Sequence, residues 1–427
     1  MSATGSPLTI AAVGCGSRSR TYTTIAATMP DRYKIVAGAD PISHRVDYIR
    51  EISNNPDFRS FDSAEALLAE DQLADVLIIG TQDNYHYEPA KAALKKGYHL
   101  LLEKPACQTL EESKEIEKLA AEYNRKVILC FVLRYTPIYR TVKQIVDSGK
   151  LGDIISLRAS EGVGAWHQVH SYVRGHWAKS GNSTPMIIAK CSHDLDIIAW
   201  IMGQRCRRVS SFGSLSHFKA SNNPEGHPEN CFDFTEEQQQ NCPYNTQKYL
   251  DEDHQNWLKM VYPDPDGLDD KEKVTEWLKQ SPWARNAYLC DNDVVDHQIV
   301  NMEYENGATA ALTMTAFDYS RSIEIYGTKA SLRAGDANKI HFNKDTAVIR
   351  HHISGEIEEI QIEDENTSGY QGHGGGDYGV VDALYDMITT DDEAGTISNT
   401  IESHLIGFAA EKSRLNGGMP VTLDDLR

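Results

Sequence analysis

Two lysines and a histidine have side chains that can move a proton, and each stands at a position where a ligand could lie. Lys104 follows Glu103 directly after the apolar run 99–102. If that run is a parallel strand, its carboxyl end is where an open α/β sheet places its ligand, so the lysine would face a bound molecule. Lys190 and His193 are three residues apart in a predicted helix, a spacing that lets both converge on one pocket. The alternatives are a solvated surface lysine and a histidine satisfied within the core.

A glycine turn near the N-terminus has the pattern that holds a pyrophosphate. The apolar run 8–13 leads into Gly14 and Gly16, and a helical pattern follows. In a dinucleotide-binding turn the first glycine makes the bend, the second lets the backbone approach the pyrophosphate, and the helix N-terminus stabilises its charge. The third glycine position holds Ser19, and tight turns also use glycine for purely structural reasons. The expected cofactor contacts of this turn are Gly14, Gly16, Ser17 and Arg18.

Asp40 supports this interpretation. It ends the second apolar run, 24 residues beyond Gly16, where a carboxylate can accept hydrogen bonds from the adenosine ribose and would repel a 2′-phosphate. That position favours NAD over NADP. The nearby Arg18, Arg20 and Arg45 could still accommodate a phosphate, and we expect both Asp40 and Arg45 to contact the cofactor.

A third group of residues has the side chains that recognise a sugar. Residues 166–177 combine aromatic rings, which stack on the apolar faces of a sugar, with donors and acceptors for its hydroxyls. The alternative is a loop that packs its tryptophans into an interface. A glycine-rich loop carries His373 and Asp377, and it either returns over the pocket or forms a turn before a helix. The candidate substrate contacts are Arg134, Tyr135, Trp166, His167, Tyr172, Arg174, Trp177 and His373.

Charge and composition exclude several classes of partner. The formal net charge of −20 argues against nucleic acid and anionic membranes. No apolar run approaches the roughly 18 residues that span a bilayer, and Met1 to Thr9 lacks the pattern of a targeting segment. The eight cysteines are thinly spread, which indicates reduced thiols and a cytoplasmic location. They lack the spacing of a zinc site, so we expect no metal.

The elements that position these residues follow from the hydrophobic periodicity. Residues 1–135 alternate short apolar runs with helical patterns, which predicts a parallel, doubly wound Rossmann sheet. Thr109 and Glu112 predict a capping box for a helix that ends near Tyr123. The predicted strands are 8–13, 35–39, 76–79, 99–102 and 127–131.

The second part of the chain, residues 136–427, has a different pattern of apolar and polar residues. Alternation at period two predicts an α+β domain with an open, mainly antiparallel sheet, so the chain as a whole is of the α/β class. One helix is predicted from about Met186 to Gly203, and another over 400–414. Residues 216–285 are polar, which indicates an insertion of loops and short helices. The predicted strands are 154–161, 300–305, 309–315 and 322–326.

The glycine turn, Asp40, the loop 80–86 and the Glu103, Lys104, Pro105 triplet together resemble the Gfo/Idh/MocA family of oxidoreductases. The resemblance extends over essentially the whole chain. It implies an NAD-binding Rossmann domain followed by a domain whose open sheet backs the substrate and often supports oligomerisation. A homo-oligomer is therefore expected.

The resemblance also implies roles for single residues. Thr81, Asn84 and His86 would lie along the nicotinamide side of the cofactor, and Glu103 and Lys104 would flank the reacting centre. Burial beside a nicotinamide would lower the pKa of a lysine, which suits it to accept a hydroxyl proton.

The helix that carries His193 resembles the catalytic histidine helix of the family, with one departure. A frequent family form has an aspartate four residues before the histidine, where this chain has Ala189. Lys190 is the candidate substitute in the proton relay.

These residues lead to one main hypothesis and two alternatives. The main hypothesis is hydride transfer between NAD and a ring hydroxyl of a sugar, glycoside or cyclitol. The first alternative is redox-neutral glycoside cleavage with retained NAD, and the second is a dinucleotide-binding sensor that has lost catalysis.

Overall fold

A computed structural model describes residues 6–264, 267–335, 346–363, 370 and 372–427. The first six strands, β1 to β6, are Leu8–Val13, Tyr33–Ala39, Arg59–Phe61, Val76–Ile79, His99–Leu102 and Val127–Leu129. The helices between them, α1 to α5, are Ser17–Ala27, Ser43–Ser53, Ala64–Ala69, Tyr87–Lys96 and Leu110–Glu122.

The six strands form one parallel sheet in the order β3-β2-β1-β4-β5-β6, which we call the N-terminal sheet. All four residues of β4 are buried, as expected of short apolar strands that are covered by helices on both faces. The predicted capping box at Thr109 and Glu112 is present. The predicted doubly wound Rossmann sheet is therefore confirmed. Its strand order reverses between β1 and β4, where such sheets bind ligands.

The remaining strands form a second sheet of nine strands, which we call the C-terminal sheet. Strands β7 to β15 are Ile154–Val163, Cys206–Ser214, His297–Tyr304, Thr309–Thr315, Tyr319–Gly327, Ala330–Gly335, Thr346–His351, Ile357–Gln361 and Val421–Thr422. Their order is β14-β13-β12-β11-β7-β10-β9-β8-β15, with β7 and β10 parallel and the other neighbours antiparallel. The predicted open, mainly antiparallel sheet is confirmed.

Helices cover one face of the C-terminal sheet. Helices α6 to α14 are Pro137–Asp147, Ala165–His167, Met186–Ala189, Ser192–Met202, Glu236–Asn241, Gln255–Val261, Lys271–Gln280, Gly376–Thr389 and Ile397–Leu415. Of these, α6, α9 and α14 pack on the sheet. Along β9 buried residues alternate with more exposed ones, because the opposite face of the sheet lacks this cover.

The chain between β8 and β9 folds as short elements around two small apolar clusters. It contains α10, α11, α12 and several single 3₁₀ turns. One cluster surrounds Phe218 and Tyr244, and the other surrounds Tyr249 and Leu258. The boundaries expected for this insertion, 216–285, stay a prediction.

Helix α13 returns to the N-terminal sheet. Val380, Val381 and Leu384 are buried in the same apolar cluster as Tyr22 of α1. The Tyr33 hydroxyl donates to the Val381 carbonyl at 2.6 Å. The last part of the chain thus completes the layer on the first sheet, although the predicted division at residues 135/136 assigns it to the second domain. No helix in the described ranges is both long and apolar enough to cross a membrane.

Candidate active site

The two glycines of the turn after β1 are there for different physical reasons. Gly14 has a left-handed φ of +72°, and a Cβ on it would lie 2.7 Å from the Thr81 nitrogen, so packing requires a glycine. A Cβ on Gly16 would meet nothing within 4 Å. Gly16 is also the N-cap of α1 and makes no side-chain cap, which leaves the first amide groups of the helix for an anion. The cradle fits a pyrophosphate, and Ser17 lies at its edge as the first residue of α1.

Asp40 is buried at the end of β2. One carboxylate oxygen accepts the Ile42 amide at 2.9 Å, and the other lies 3.8 Å from the Arg45 guanidinium. The Arg20 guanidinium lies 3.8 Å from the centre of the Tyr48 ring. Asp40 therefore holds a fixed carboxylate at the carboxyl end of β2, beside the glycine turn that follows β1.

Arg18 is engaged with buried carboxylates. Its Nε lies 2.8 Å from Glu103 Oε1, and its Nη2 lies 2.6 Å from Asp377 Oδ1. The Tyr22 hydroxyl donates to the same Glu103 oxygen at 2.6 Å. Burial would raise the pKa of Glu103, but the charges of Arg18 and Lys104 outweigh it and lower that pKa. These contacts hold Glu103 in its ionised form. Because Arg18 pairs with two carboxylates of the protein, it is not available to bind a phosphate.

Lys104 is partly buried beside Glu103. Its ammonium donates to the Ala189 carbonyl at 2.7 Å, across the junction between the two sheets. Burial lowers the pKa of Lys104, and nearby Lys190 adds to this, while Glu103 and Asp83 oppose it. Ala189, which stands where a frequent family form has an aspartate, thus accepts a hydrogen bond from Lys104 through its main-chain oxygen.

His193 lies in the first turn of α9, four residues after Ala189. Its ring packs edge-on against Phe131, with ring centres 5.9 Å apart. Its Nδ1 is buried, and no hydrogen-bond partner for it lies among the residues that the structure describes. Burial, with the charge of Lys104 second, holds the pKa of His193 well below its usual range, so the ring is neutral.

Lys190 pairs with an acidic residue of the C-terminal sheet, and its charge still acts on Lys104 and His193. The single helix predicted from Met186 to Gly203 is wrong, because the chain leaves helical geometry at Lys190 and Cys191 and divides into α8 and α9. Lys190 Nζ lies 3.0 Å from Glu161 Oε1. The break therefore removes the shared helical face on which Lys190 and His193 were expected to converge.

Sequence reasoning missed the acidic and basic groups around Lys190. Arg321 Nε lies 2.8 Å from Glu161 and 2.7 Å from Asp194. Burial raises the pKa of Asp194 to about 6, although Arg321 opposes the change. The available signal was Glu161 itself, a charged residue within a strand pattern, which is rarely buried without a partner.

The loop after β4 is tied down by its histidine. His86 Nδ1 lies 2.8 Å from the Pro105 carbonyl and its Nε2 lies 3.1 Å from the Thr81 carbonyl, so both ring nitrogens are used within the protein. Asn84 lines an open depression together with Gln82 and His176. Of the three expected cofactor contacts in this loop, Asn84 alone presents its side chain to an open surface.

Asp83, in the same loop, is a buried carboxylate that sequence reasoning missed. It accepts hydrogen bonds from Trp177 Nε1 at 3.1 Å, from the Ser183 hydroxyl at 2.7 Å and from the Thr184 hydroxyl at 3.3 Å. All three donors belong to the chain after the first sheet. Asp83 therefore fastens the segment containing Trp177 to the N-terminal sheet.

The structure brings only some of the expected substrate residues to the junction. The Arg134 guanidinium forms a bidentate pair with buried Asp196 at 2.6 and 2.7 Å. Arg174 donates to the Arg285 carbonyl at 2.6 Å and holds the insertion. The Tyr135 hydroxyl faces the Met387 sulfur at 3.7 Å. These three side chains have structural partners, so we leave them out of the proposed pocket.

An aromatic group lies nearer to Lys104. The rings of Tyr172 and Trp177 are 6.0 Å apart, and His167 lies 4.8 Å from Trp257, which belongs to α11 of the insertion. Burial lowers the pKa of His167 well below its usual range, and the charges of Lys190 and Lys104 lower it further. Trp166 packs against Tyr249 and His254.

His373 reaches the same place from the C-terminal region. Its ring centre is 6.4 Å from that of His193, and its Nδ1 is 3.0 Å from Asp377. The described part of the chain contains no group of three or more His, Cys, Asp or Glu side chains that could hold a metal ion.

The N-terminal part of the structure is a Rossmann sheet with an open anion cradle. A lysine and a histidine lie where this sheet meets a second, mixed sheet. Together these features are typical of an oxidoreductase with a dinucleotide-binding domain. The chain belongs to the Gfo/Idh/MocA oxidoreductase family. The family's NAD-binding Rossmann model matches residues 8–131, and the model of its C-terminal alpha/beta domain matches residues 143–423. The resemblance inferred from the motifs is confirmed.

Known proteins similar to this chain include an oxidoreductase and inositol dehydrogenases. YteT of Bacillus subtilis is 23% identical over 392 residues, covering 87% of this chain and 88% of YteT. Inositol 2-dehydrogenase 2 of Saccharopolyspora erythraea is 27% identical over 138 residues, which is 32% of this chain and 38% of that protein. A crystal structure of scyllo-inositol dehydrogenase from Lactobacillus casei, with bound NAD(H) and scyllo-inositol, is 19% identical with a TM-score of 0.64, covering 98% of this chain and 99% of that one. The last comparison shows the fold.

Proposed function

We propose that this protein transfers hydride between NAD and a ring hydroxyl of a sugar, glycoside or cyclitol. The observation that carries the proposal is that Lys104 bonds across the junction between the two sheets to the Ala189 carbonyl, four residues before buried His193. The charge of Lys104 also acts on His193 and lowers its pKa. Inositol dehydrogenases among the similar proteins support a cyclic polyol as the substrate class.

The proton chemistry follows from burial. A bound nicotinamide supplies transfer of hydride to or from the carbon that bears the hydroxyl. Because burial lowers the pKa of Lys104, its neutral amine can take the hydroxyl proton. His193, which is neutral for the same reason, is the second group able to hold that proton. Lys190, which is paired with Glu161, assists because its positive charge also lowers the pKa of Lys104.

We propose NAD rather than NADP as the cofactor. Gly14, Gly16 and Ser17 would hold its pyrophosphate, and Asp40 its adenosine ribose. The buried Asp40 carboxylate, with Arg45 turned toward it, and the engagement of Arg18 by Glu103 leave little positive charge for a 2′-phosphate.

The substrate pocket would be lined by His167, Tyr172, Trp177 and His373, with Trp166 behind them. We propose a homo-oligomer that forms through the uncovered face of the C-terminal sheet, where Phe212 and Ile299 lie opposite each other and are 59% and 45% exposed. All eight cysteines are free, which supports a reducing cytoplasm.

Replacing the lysine tests the proposed chemistry. Lys104→Ala should lower kcat by at least about 100-fold, because loss of a general base removes a factor of that order, while NAD still binds. The measurements are turnover on a panel of cyclic polyols and glycosides, and NAD affinity by calorimetry. Lys118→Ala, an exposed lysine of α5, is the control and should retain wild-type turnover.

Unchanged turnover of Lys104→Ala would refute the role of the lysine. The stoichiometry of the wild-type reaction separates the two catalytic hypotheses. A dehydrogenase accumulates one reduced nicotinamide per product, whereas redox-neutral glycoside cleavage accumulates none. A sensor turns over no substrate and gains or loses a binding partner with NAD.

A further inference from the structure

His373 occupies a constrained position between the two proton-handling elements. It lies in the turn Gly372–Gly375 just before α13, with a left-handed φ of 48° that is uncommon for a residue with a side chain. The turn brings its ring centre to 6.4 Å from that of His193. Asp377, one helical turn later, engages its Nδ1 with both carboxylate oxygens at 3.0 Å.

The proposed reaction requires a route by which the released proton reaches solvent, and Lys104 and His193 do not provide one by themselves. Oxidation of an alcohol releases one proton, and burial disfavours the charged form of both groups. A proton taken up there must reach solvent before the next turnover.

His373 has one side toward His193 and another toward water. Its side chain is 44% exposed, whereas that of Asp377 is 3% exposed. Because Asp377 engages Nδ1, proton exchange falls to Nε2. At a ring separation of 6.4 Å a single water can bridge the two imidazoles.

Asp377 is held in its charged form. Burial would raise its pKa, but hydrogen bonds from His373 and Arg18 outweigh burial and lower that pKa. Arg18 in turn bonds to Glu103, so the carboxylate that orients His373 is fixed by the same network that fixes the residue next to Lys104.

We infer that His373, oriented by Asp377, carries the substrate proton between His193 and solvent. The inference rests on the proposed function. In the oxidation direction the C–H bond breaks and its hydride goes to a nicotinamide dinucleotide. The hydroxyl proton passes to Lys104 or His193, then through a water to Nε2 of His373, and from there to bulk water. The reverse path delivers a proton when a ketone is reduced.

The decisive variant is His373→Asn. Asparagine tolerates a left-handed φ, so the turn is kept while the proton carrier is lost. We expect kcat to fall at least about tenfold, by a larger factor than any change in KM. We also expect a larger solvent deuterium isotope effect and recovery of turnover on addition of free imidazole. His297→Asn is the matched control, because His297 is 45% exposed and its Nδ1 lies 2.8 Å from a carboxylate, Asp296. It should retain wild-type kcat.

A second readout uses the protein without cofactor. In spectra of protein labelled with ¹⁵N-histidine, His193→Asn should move the imidazole resonances of His373 and leave those of His297 in place. Wild-type kcat in His373→Asn, a loss of kcat that imidazole does not restore, or unmoved His373 resonances would each overturn the inference. If the wild-type protein reduces no dinucleotide with any polyol, the proposed function fails, and the spectra still decide whether the two histidines are coupled.

Discussion

At the scale of single residues, the site depends on charged groups whose partners lie far away in the chain. Lys104 bonds to a main-chain carbonyl, Glu103 to Arg18, and Asp83 to Trp177. A carboxylate buried without partners would be costly, and Asp83 avoids this with three donors from the second domain. Its charge has a second effect, since it raises the pKa of Lys104 against the effect of burial.

Replacing this carboxylate should change the pH profile. Asp83→Asn removes a negative charge near Lys104, so the charged amine loses stabilisation and its pKa falls further. Because the base acts in its neutral form, activity is lost below that pKa, and the rise of kcat/KM should move to lower pH. The measurement is kcat/KM of the oxidation as a function of pH.

Asp293→Asn is the control for the pH profile. Asp293 accepts the Ser180 amide at 2.7 Å and so holds the same segment of chain, but it is exposed and does not perturb Lys104. Its profile should match that of the wild type. A profile of Asp83→Asn that stays in place or moves to higher pH would contradict the electrostatic role.

At the scale of elements, the strands of the site were predictable and the helix break was not. The runs 8–13, 76–79 and 99–102 match β1, β4 and β5, because short apolar runs buried on both faces leave a clear pattern. The break at Lys190 and Cys191 separates α8 from α9, and Lys190 pairs with Glu161, a residue of β7. Local propensity carries no information about a partner so distant in the chain.

The turn into α1 gives a prediction at this scale. Gly16→Val should fold normally but lose at least about tenfold in NAD affinity, because its new side chain occupies the open cradle. Gly14→Val should instead destabilise the protein by about 1–3 kcal/mol, because φ is +72° and Thr81 is 2.7 Å from the new Cβ. NAD titration and urea unfolding of both variants separate the effects. Equal loss of affinity and stability in the two would show that Gly16 is structural.

At the scale of the whole molecule, the C-terminal region completes the N-terminal domain. Helix α13 packs on α1, whose N-terminus forms the anion cradle, and the loop before α13 carries His373. Lys126 donates to the carbonyls of Met387 and Thr390 at 2.7 and 2.6 Å. Helix α13 thus packs with the helices of the N-terminal sheet, although the family's model of the C-terminal domain includes it.

Core truncation in α13 tests this assembly. Leu384 is 1% exposed, and Leu384→Ala should lower the free energy of unfolding by about 2–5 kcal/mol. It should also weaken NAD binding, although Leu384 is outside the cradle. Leu415→Ala, at the 68% exposed end of α14, should change stability by less than about 0.5 kcal/mol. The comparison uses urea unfolding with NAD titration, and wild-type NAD affinity in Leu384→Ala would contradict the shared assembly.

The amino-acid sequence by itself predicted the class of both sheets, several of their strands and the glycine turn after the first strand, because strand periodicity and turn chemistry act over a few residues. Only the tertiary structure decided which charged groups meet. It paired Arg18 with Glu103 and Asp377, and Lys190 with Glu161, since each of these pairs joins distant segments that the fold alone brings together. Burial then lowered the pKa values of Lys104 and His193, an effect that depends on the groups packed around each side chain in the folded protein.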